Sequence, residues 1–337
     1  MPKIALNFED GVTKIINALP YEKVSDAAYR EGINIPLDCA DGACGTCKCK
    51  VKAGEFDPGD YIDEALSEEE AEQGFGLACQ IVPETDIIVE ILASSAACKV
   101  VAETYASTIT AVNYLSAEIV QLKVQLPEAK QIEFLAGQYA NIEVPGSEET
   151  RSYSFTNKSN ENELEFLIRL IPDGLMSNFL RDVAKVGETL NITAPIGSFY
   201  VRTLENPTLL IAGGTGIAPI ISMLEDISIS DNKQPITVIY GATTDENLVE
   251  IERIKAFAST QNITLELCVS NQEDSSFTKG YATQWINNEY LTSSTYDIYI
   301  CGPNVMVDAV KQAIETNQIT VDNFYTEKFV PTGSVTA

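Results

Sequence analysis

Three cysteines fall within nine residues as Cys39-x4-Cys44-x2-Cys47, and a fourth, Cys79, follows 32 positions later. This is the plant-type spacing for a [2Fe–2S] cluster, in which two irons share four thiolates and one tight loop supplies three of them. Gly42 and Gly45 let the backbone turn sharply, so that amide N–H groups approach the sulfurs and stabilise the negative cluster. The run Asp38-Cys-Ala-Asp-Gly-Ala-Cys-Gly-Thr-Cys leaves no bulky side chain where the cluster would sit. The competing readings are buried free thiols or a zinc site, but structural zinc usually shows paired C-x2-C knuckles. Cys49 and Cys98 lie outside the spacing and read as packed thiols.

Charge and composition narrow the chemistry further. Forty-nine acids against 22 bases give a formal charge of −27, which opposes binding to nucleic acid or to an acidic membrane surface. The chain has no histidine. That excludes Rieske clusters, His-ligated haem and His-based triads from this polypeptide. The start, Met1–Ala5, shows no apolar signal core, and no apolar run approaches the ~18 residues needed to cross a bilayer. The expectation is a cytoplasmic protein whose thiols stay reduced.

At 337 residues the chain has room for two or three domains, and its patterning changes twice. Residues 1–98 hold 19 acids and seven bases. They read as strands at 3–8 and 12–17, a helix at 24–32, the cysteine loop, a strand at 49–52, an acidic helix near 67–73 and a last strand at 86–92. Ala93–Ala97 has the small, polar character of a linker. Residues 99–204 carry six short strands, near 102–110, 119–126, 139–144, 152–156, 163–170 and 189–193, with one helix at 176–183, the pattern of a closed antiparallel barrel. From 205 to 337, apolar strands alternate with helices, including one expected at 282–288, the pattern of a doubly wound parallel sheet.

The two later modules carry nucleotide signatures. In the barrel, Arg151-Ser152-Tyr153-Ser154 lies on a strand, and Pro172-Asp173-Gly174-Leu175-Met176-Ser177 opens a helix about twenty residues on. A helix start offers free N–H groups to a phosphate and Arg151 adds a bidentate donor. Tyr153 supplies a flat face for a flavin ring, and Ser154 a hydroxyl near its reactive nitrogen. In the last module a strand runs into Gly213-Gly214-Thr215-Gly216-Ile217-Ala218-Pro219, a strand–glycine loop–helix suited to a pyrophosphate. The pattern is G-x-G-x-x-P, and no acid lies within 235–244 to take a ribose hydroxyl, so it departs from the ordinary dehydrogenase fingerprint. Cys301-Gly302-Pro303 falls at the carboxyl end of a later strand, where open α/β sheets bind ligands, and reads as a nicotinamide neighbour. Cys268, in mid-strand, reads as core.

Taken in order, CADGACGTC with Cys79, then RSYS and GLMS, then GGTGIAP and CGP resemble the reductase components of bacterial ring-hydroxylating oxygenases. Within that family the similarity points to the branch serving benzoate or toluate 1,2-dioxygenase. The resemblance implies a multidomain α+β and α/β chain: an N-terminal β-grasp [2Fe–2S] ferredoxin (1–98), a six-stranded antiparallel FAD barrel (99–204) and a doubly wound NAD domain (205–337). It implies Cys39, Cys44, Cys47 and Cys79 as iron ligands. Arg151, Ser152, Tyr153 and Ser154 would hold FAD, with Gly174, Met176 and Ser177 at its phosphates. Gly213, Gly214, Thr215 and Gly216 would line the NADH pyrophosphate, with Cys301 and Gly302 beside the nicotinamide. Glu327-Lys328-Phe329 resembles the family's closing segment, where Phe329 would cover the flavin, and Ser154, Cys301 and Phe329 are the expected catalytic residues. The chain runs eight residues past that aromatic.

The implied path is NADH to FAD to [2Fe–2S] to a terminal oxygenase of Rieske type, with the reductase a monomer. NADH is favoured over NADPH because no Lys or Arg lies between Gln261 and Thr278 to receive a 2′-phosphate, and Glu273 and Asp274 would repel one. Alternative readings are the reductase of a di-iron monooxygenase, a non-enzymatic redox-sensing iron–sulfur module, and a standalone oxidase or quinone reductase.

Overall fold

Ile4, Leu6 and Phe8 alternate with polar residues, and strand β1 (Lys3–Phe8) turns all three inward. The computed structural model describes residues 1–128, 130–260 and 262–328. The chain divides into two compact units, Met1–Glu103 with Pro195–Ser198, and Thr104–Ala194 with Phe199–Ala337.

In the first unit β1 is followed by β2 (Thr13–Asn17), α1 (Val24–Arg30), β3 (Lys48–Ala53), β4 (Phe56–Asp57), α2 (Glu68–Glu72), β5 (Phe75–Leu77), β6 (Val82–Pro83) and β7 (Ile87–Ile91). Five of the strands form one mixed sheet in the order β2-β1-β7-β3-β5, with β1 and β7 parallel, and β4 pairs with β6 separately. Helix α1 ends in a Schellman turn: Ile33 N–H donates to Ala28 O and Gly32 N–H to Tyr29 O, both at 2.9 Å, with Gly32 at φ +74°. The cysteine loop is thereby launched from a fixed point. Helix α2 has a capping box, since Ser67 Oγ accepts from Glu70 N–H and Glu70 Oε2 accepts from Ser67 N–H.

The second unit contains two sheets. β8 (Glu103–Tyr114), β9 (Ile119–Gln125), β10 (Tyr139–Glu143), β11 (Thr150–Ser154), β12 (Glu163–Arg169) and β13 (Thr189–Ile196) lie in the order β11-β10-β13-β8-β9-β12. An antiparallel bridge from Phe155, just past β11, to Phe166 on β12 closes the two ends on each other. The barrel interior holds Val120, Leu122, Val124, Leu164, Ile168 and the stacked rings of Phe134 and Phe155, 4.0 Å apart. Helix α3 (Leu175–Asp182) plugs it with Met176, Phe179 and Leu180.

The remaining strands are β14 (Thr208–Gly213), β15 (Ile236–Ala242), β16 (Ile263–Val269), β17 (Thr278–Lys279), β18 (Tyr296–Gly302) and β19 (Val321–Lys328). All pair in parallel, in the order β17-β16-β15-β14-β18-β19. Their near-continuous apolar character follows from burial on both faces. On one face Leu210, Val238 and Tyr240 pack with Ile220, Ile221, Leu224 and Ile254 of α4 (Ile217–Ile229) and α5 (Ile251–Thr260). On the other, Leu209, Ile211, Ile239 and Ile298 pack with Val307 and Val310 of α6 (Asn304–Asn317) and with Trp285 and Ile286. The helix expected at 282–288 is a single 3-10 turn, Ala282–Trp285, because Ile286 turns into that core instead of continuing a spiral. Among the described residues no helix is long and apolar enough to cross a membrane.

Candidate cluster, flavin and nucleotide sites

The cysteine loop is shaped by two close approaches. Gly42, at φ +84°, leaves a Cβ no room, since the atom would lie 2.4 Å from Asp60 O. Gly45, at φ +72°, would place its Cβ 2.9 Å from Ala65 O. Within the loop the thiols meet in pairs: Cys39 is hydrogen-bonded to Cys44, and Cys47 to Cys79. The amides of Ala43 and Cys44 donate to Cys39 Sγ at 3.4 and 3.3 Å. Burial, then the bonds from Asp41 and Cys44, push the Cys39 thiol up to about 12. The bond from Cys47 brings Cys79 down to about 6 against the effect of burial, aided by the Gly42 amide, Gln80 and the Lys23 charge. The same bond, with burial, drives Cys47 upward.

Among the described residues no three His, Cys, Asp or Glu side chains gather around a single point. Two thiol pairs are instead what a two-iron cluster takes, one pair to each iron, and the inward amides are the donors its sulfurs need. The loop fits the group. Cys49 and Cys98 are buried packed thiols, with Cys49 Sγ donating to Gly76 O.

Alternation along β11 sorts the flavin candidates. Ser154 is buried, Tyr153 is half-buried against the barrel core with its phenol raised by burial, and Ser152 is exposed. Arg151 Nη1 donates to Glu149 Oε2 at 2.9 Å and to Thr150 O at 2.7 Å, while Ser152 Oγ donates to Asn141 Oδ1 at 2.6 Å. At the start of α3, Gly174 is the N-cap, and its Cβ would meet Ile171 at 2.6 Å and Ser177 Oγ at 3.0 Å. Ser177 Oγ accepts from Ile171 N–H at 2.9 Å, and the Met176 side chain lies in the core. Both side chains therefore brace the turn, so only the backbone N–H groups of the first helical turn would be left to meet a phosphate there. Beside this turn a cavity of about 290 Å³ is lined by Val144, Gly146, Leu175, Asn178, Phe179 and Asp182.

The glycine loop lies at the carboxyl end of β14. Its connections leave toward β15 on one side while β18 returns on the other, so this is the topological switch point of the sheet. Backbones are pressed together here. A Cβ on Gly216 would lie 2.3 Å from Cys301 O, and one on Gly302 would lie 3.2 Å from Gly213 Cα. Gly214 takes φ +56° with open space above it, and Gly214–Gly216 form a short turn that feeds α4. Asn304 Oδ1, at the start of α6, is buried with no hydrogen-bond partner, an acceptor suited to an amide or hydroxyl of a bound nucleotide.

Across the unit, Ser154 Oγ of the barrel donates to Glu327 Oε2 of β19 at 3.2 Å. Glu327 is in register with Cys301, which is fully buried, and burial together with the Glu327 charge holds that thiol well above its usual range. Thus one carboxylate, to which the sequence alone assigned no role, accepts from Ser154 and raises the Cys301 thiol. Cys268 is core, as expected. Asp245, one position past the acid-free stretch 235–244, is held by the hydroxyls of Ser275 and Ser276 and the Ser276 amide. Phe329 lies outside the described residues.

Comparison with known proteins agrees with this division of sites. Residues 7–84 match the family described as 2Fe-2S iron-sulfur cluster binding domain, 106–200 the oxidoreductase FAD-binding domain, and 210–312 the oxidoreductase NAD-binding domain. The chain is 46% identical to the toluate 1,2-dioxygenase electron transfer component of Pseudomonas putida, over 97% of this chain and 98% of that protein. It is 40% identical to the 2-halobenzoate 1,2-dioxygenase electron transfer component of Burkholderia cepacia, over 98% of each. Among solved structures, the Amycolatopsis cytochrome P450 reductase GcoB superposes with a TM-score of 0.73 at 27% identity, covering 97% of this chain and 99% of that one. With one module for iron–sulfur, one for FAD and one for NAD, and full-length kinship to dioxygenase electron transfer components, the chain belongs to the reductase components of ring-hydroxylating oxygenases and carries electrons from NADH through FAD and a [2Fe–2S] cluster to an oxygenase.

Proposed function

We propose that this reductase serves a Rieske-type dioxygenase acting on an aromatic carboxylate of the benzoate or toluate kind. The relatives named for toluate, 2-halobenzoate and anthranilate 1,2-dioxygenases, at 46%, 40% and 37% identity, support that reading because each name contains a ring bearing a carboxylate. Propane monooxygenase reductases match at 30% and below. The protein acts as a cytoplasmic monomer, divided at 98/99 and 204/205 into its three functional modules.

The observation that carries the mechanism is the convergence of Ser154, Glu327 and Cys301. Cys39 and Cys44 take one iron and Cys47 and Cys79 the other. Bound FAD supplies the exchange between a two-electron donor and a one-electron acceptor. Around it, Arg151 and the amides at Gly174–Ser177 hold the phosphates, Tyr153 provides a flat wall, and Ser152 hydrogen-bonds at the rim. Ser154 presents a hydroxyl, oriented by Glu327, toward the reactive edge of the ring. Gly213–Gly216 admit the NADH pyrophosphate at the start of α4, Asn304 accepts from the nicotinamide side, and Cys301 with Gly302 closes the slot behind it. The absence of Lys or Arg between Gln261 and Thr278, with Glu273 and Asp274 within that span, supports NADH as the donor, and the exposed Lys279 just beyond it is paired with Glu273 at 2.8 Å.

The test is reconstitution. Purified reductase with NADH should drive cis-diol formation by the oxygenase of a benzoate-type dioxygenase at least tenfold faster than it drives monohydroxylation by a di-iron hydroxylase. Equal support of both, or preference for the hydroxylase or for NADPH, overturns the reading.

A further inference from the structure

Two residues beyond Ser154, the chain enters a dense polar network that the electron path does not use. Thr156 and Asn157 are buried, as are Glu165 of β12 and Ser222 of α4. Thr156 Oγ1 donates to Glu165 Oε1 at 2.7 Å, and Glu165 N–H to Asn157 Oδ1 at 2.9 Å. From the nucleotide side, Ser222 Oγ donates to Asn157 O at 2.9 Å. Arg253 of α5 spans both sides: Nη1 binds Glu165 Oε1 at 2.7 Å, while Nη2 binds Thr156 O at 3.0 Å and Glu225 Oε1 of α4 at 2.9 Å. Lys123 of β9 takes the other Glu165 oxygen at 2.9 Å.

Burying such a set costs desolvation that its mutual attraction does little more than offset, so stability alone is a poor reason for it. What it does secure is position. One end is two residues from Ser154. The other is α4, the helix that starts at the glycine loop, and Ser222 lies about 9 Å along it from Gly216 at 1.5 Å per residue. Resting on the assignment of FAD to the Ser154 face and of NADH to Gly213–Gly216, we infer that Arg253 is a positioning residue: its guanidinium fixes the barrel strand and α4 at the separation that brings the nicotinamide against the flavin. With both cofactors bound, a hydride, a pair of electrons with its proton, would pass from the nicotinamide carbon to the flavin nitrogen. That needs reacting atoms about 3–3.5 Å apart, and a misplacement of ~1 Å costs about a hundredfold.

The experiment uses the full-length holoprotein and the variants Arg253→Met, Arg253→Lys and Ser222→Ala. Anaerobic stopped flow gives the limiting rate of flavin bleaching and the NADH concentration at half-saturation. The long-wavelength absorbance of nicotinamide stacked on flavin reports their approach directly, and hydrogen exchange of peptides spanning 154–157 and 217–225 reports the tie. The expected result for Arg253→Met is a limiting rate at least tenfold lower, half-saturation within twofold of the parent, a weakened stacking band and faster exchange in both peptides. Arg253→Lys should recover part of the band, and Ser222→Ala, which deletes one hydroxyl, should slow bleaching about threefold. An unchanged stacking band and limiting rate despite faster exchange, or a loss confined to NADH affinity, overturns the inference. If the parent itself shows no stacking band with NADH, the site assignment fails instead.

Discussion

Ser154 Oγ of the barrel donates to Glu327 on β19 of the parallel sheet at 3.2 Å. Replacing Ser154 with alanine leaves the barrel core intact but removes the hydroxyl proposed for the flavin edge. Flavin bleaching by NADH should slow at least tenfold with the flavin content unchanged, and parent-like bleaching would refute the role. Gly42→Ala is a different kind of loss. Its Cβ meets Asp60 O at 2.4 Å in a left-handed backbone, so the cysteine loop must open, and iron content should fall to under about a fifth of the parent's. The four cysteines could be proposed as ligands from sequence because three of them are neighbours and their spacing is itself the geometry. Glu327 was quoted only as part of a terminal motif. Its meaning depends on a contact 173 positions away, and no local pattern encodes that.

At the scale of elements, apolar alternation located all six barrel strands within a few residues, since one face of each must be buried, and continuous apolar runs located most of the parallel sheet, whose strands are buried on both faces. It missed β4, β5 and β6, two or three residues long, which are too short to show a period. Two predictions belong here. Ser67→Ala breaks the capping box of α2 and should cost about 1 kcal/mol in chemical unfolding of the first unit. Glu250, before α5, has its carboxyl raised by burial, which outweighs the Arg253 charge. A folded value above the unfolded one means that the ionised form opposes folding at neutral pH, and this opposition disappears once pH falls below the unfolded value. Glu250→Gln should therefore raise Tm at pH 7 by roughly 1–3 °C, and the difference should vanish near pH 4. A lower Tm at pH 7 contradicts the assignment.

For the molecule as a whole, a formal charge of −27 governs encounters with acceptors. Electron delivery to cytochrome c, a basic acceptor, should slow several-fold between about 20 and 300 mM salt, because the attraction is screened within about 10 Å or less over most of that range. A rate independent of salt would show that the charge serves no encounter. The most direct measurement concerns the order of the centres. Parent and Cys44→Ser proteins are titrated anaerobically with NADH while visible absorbance and electron paramagnetic resonance are followed. The parent should consume about 1.5 equivalents, two electrons for the flavin and one for the cluster, and develop the signal of a reduced two-iron centre. Cys44→Ser should consume about one equivalent, bleach its flavin at the parent's rate, and fail to reduce cytochrome c. A variant that keeps cytochrome c reduction, or a parent that stops at one equivalent with no iron signal, would contradict the electron path.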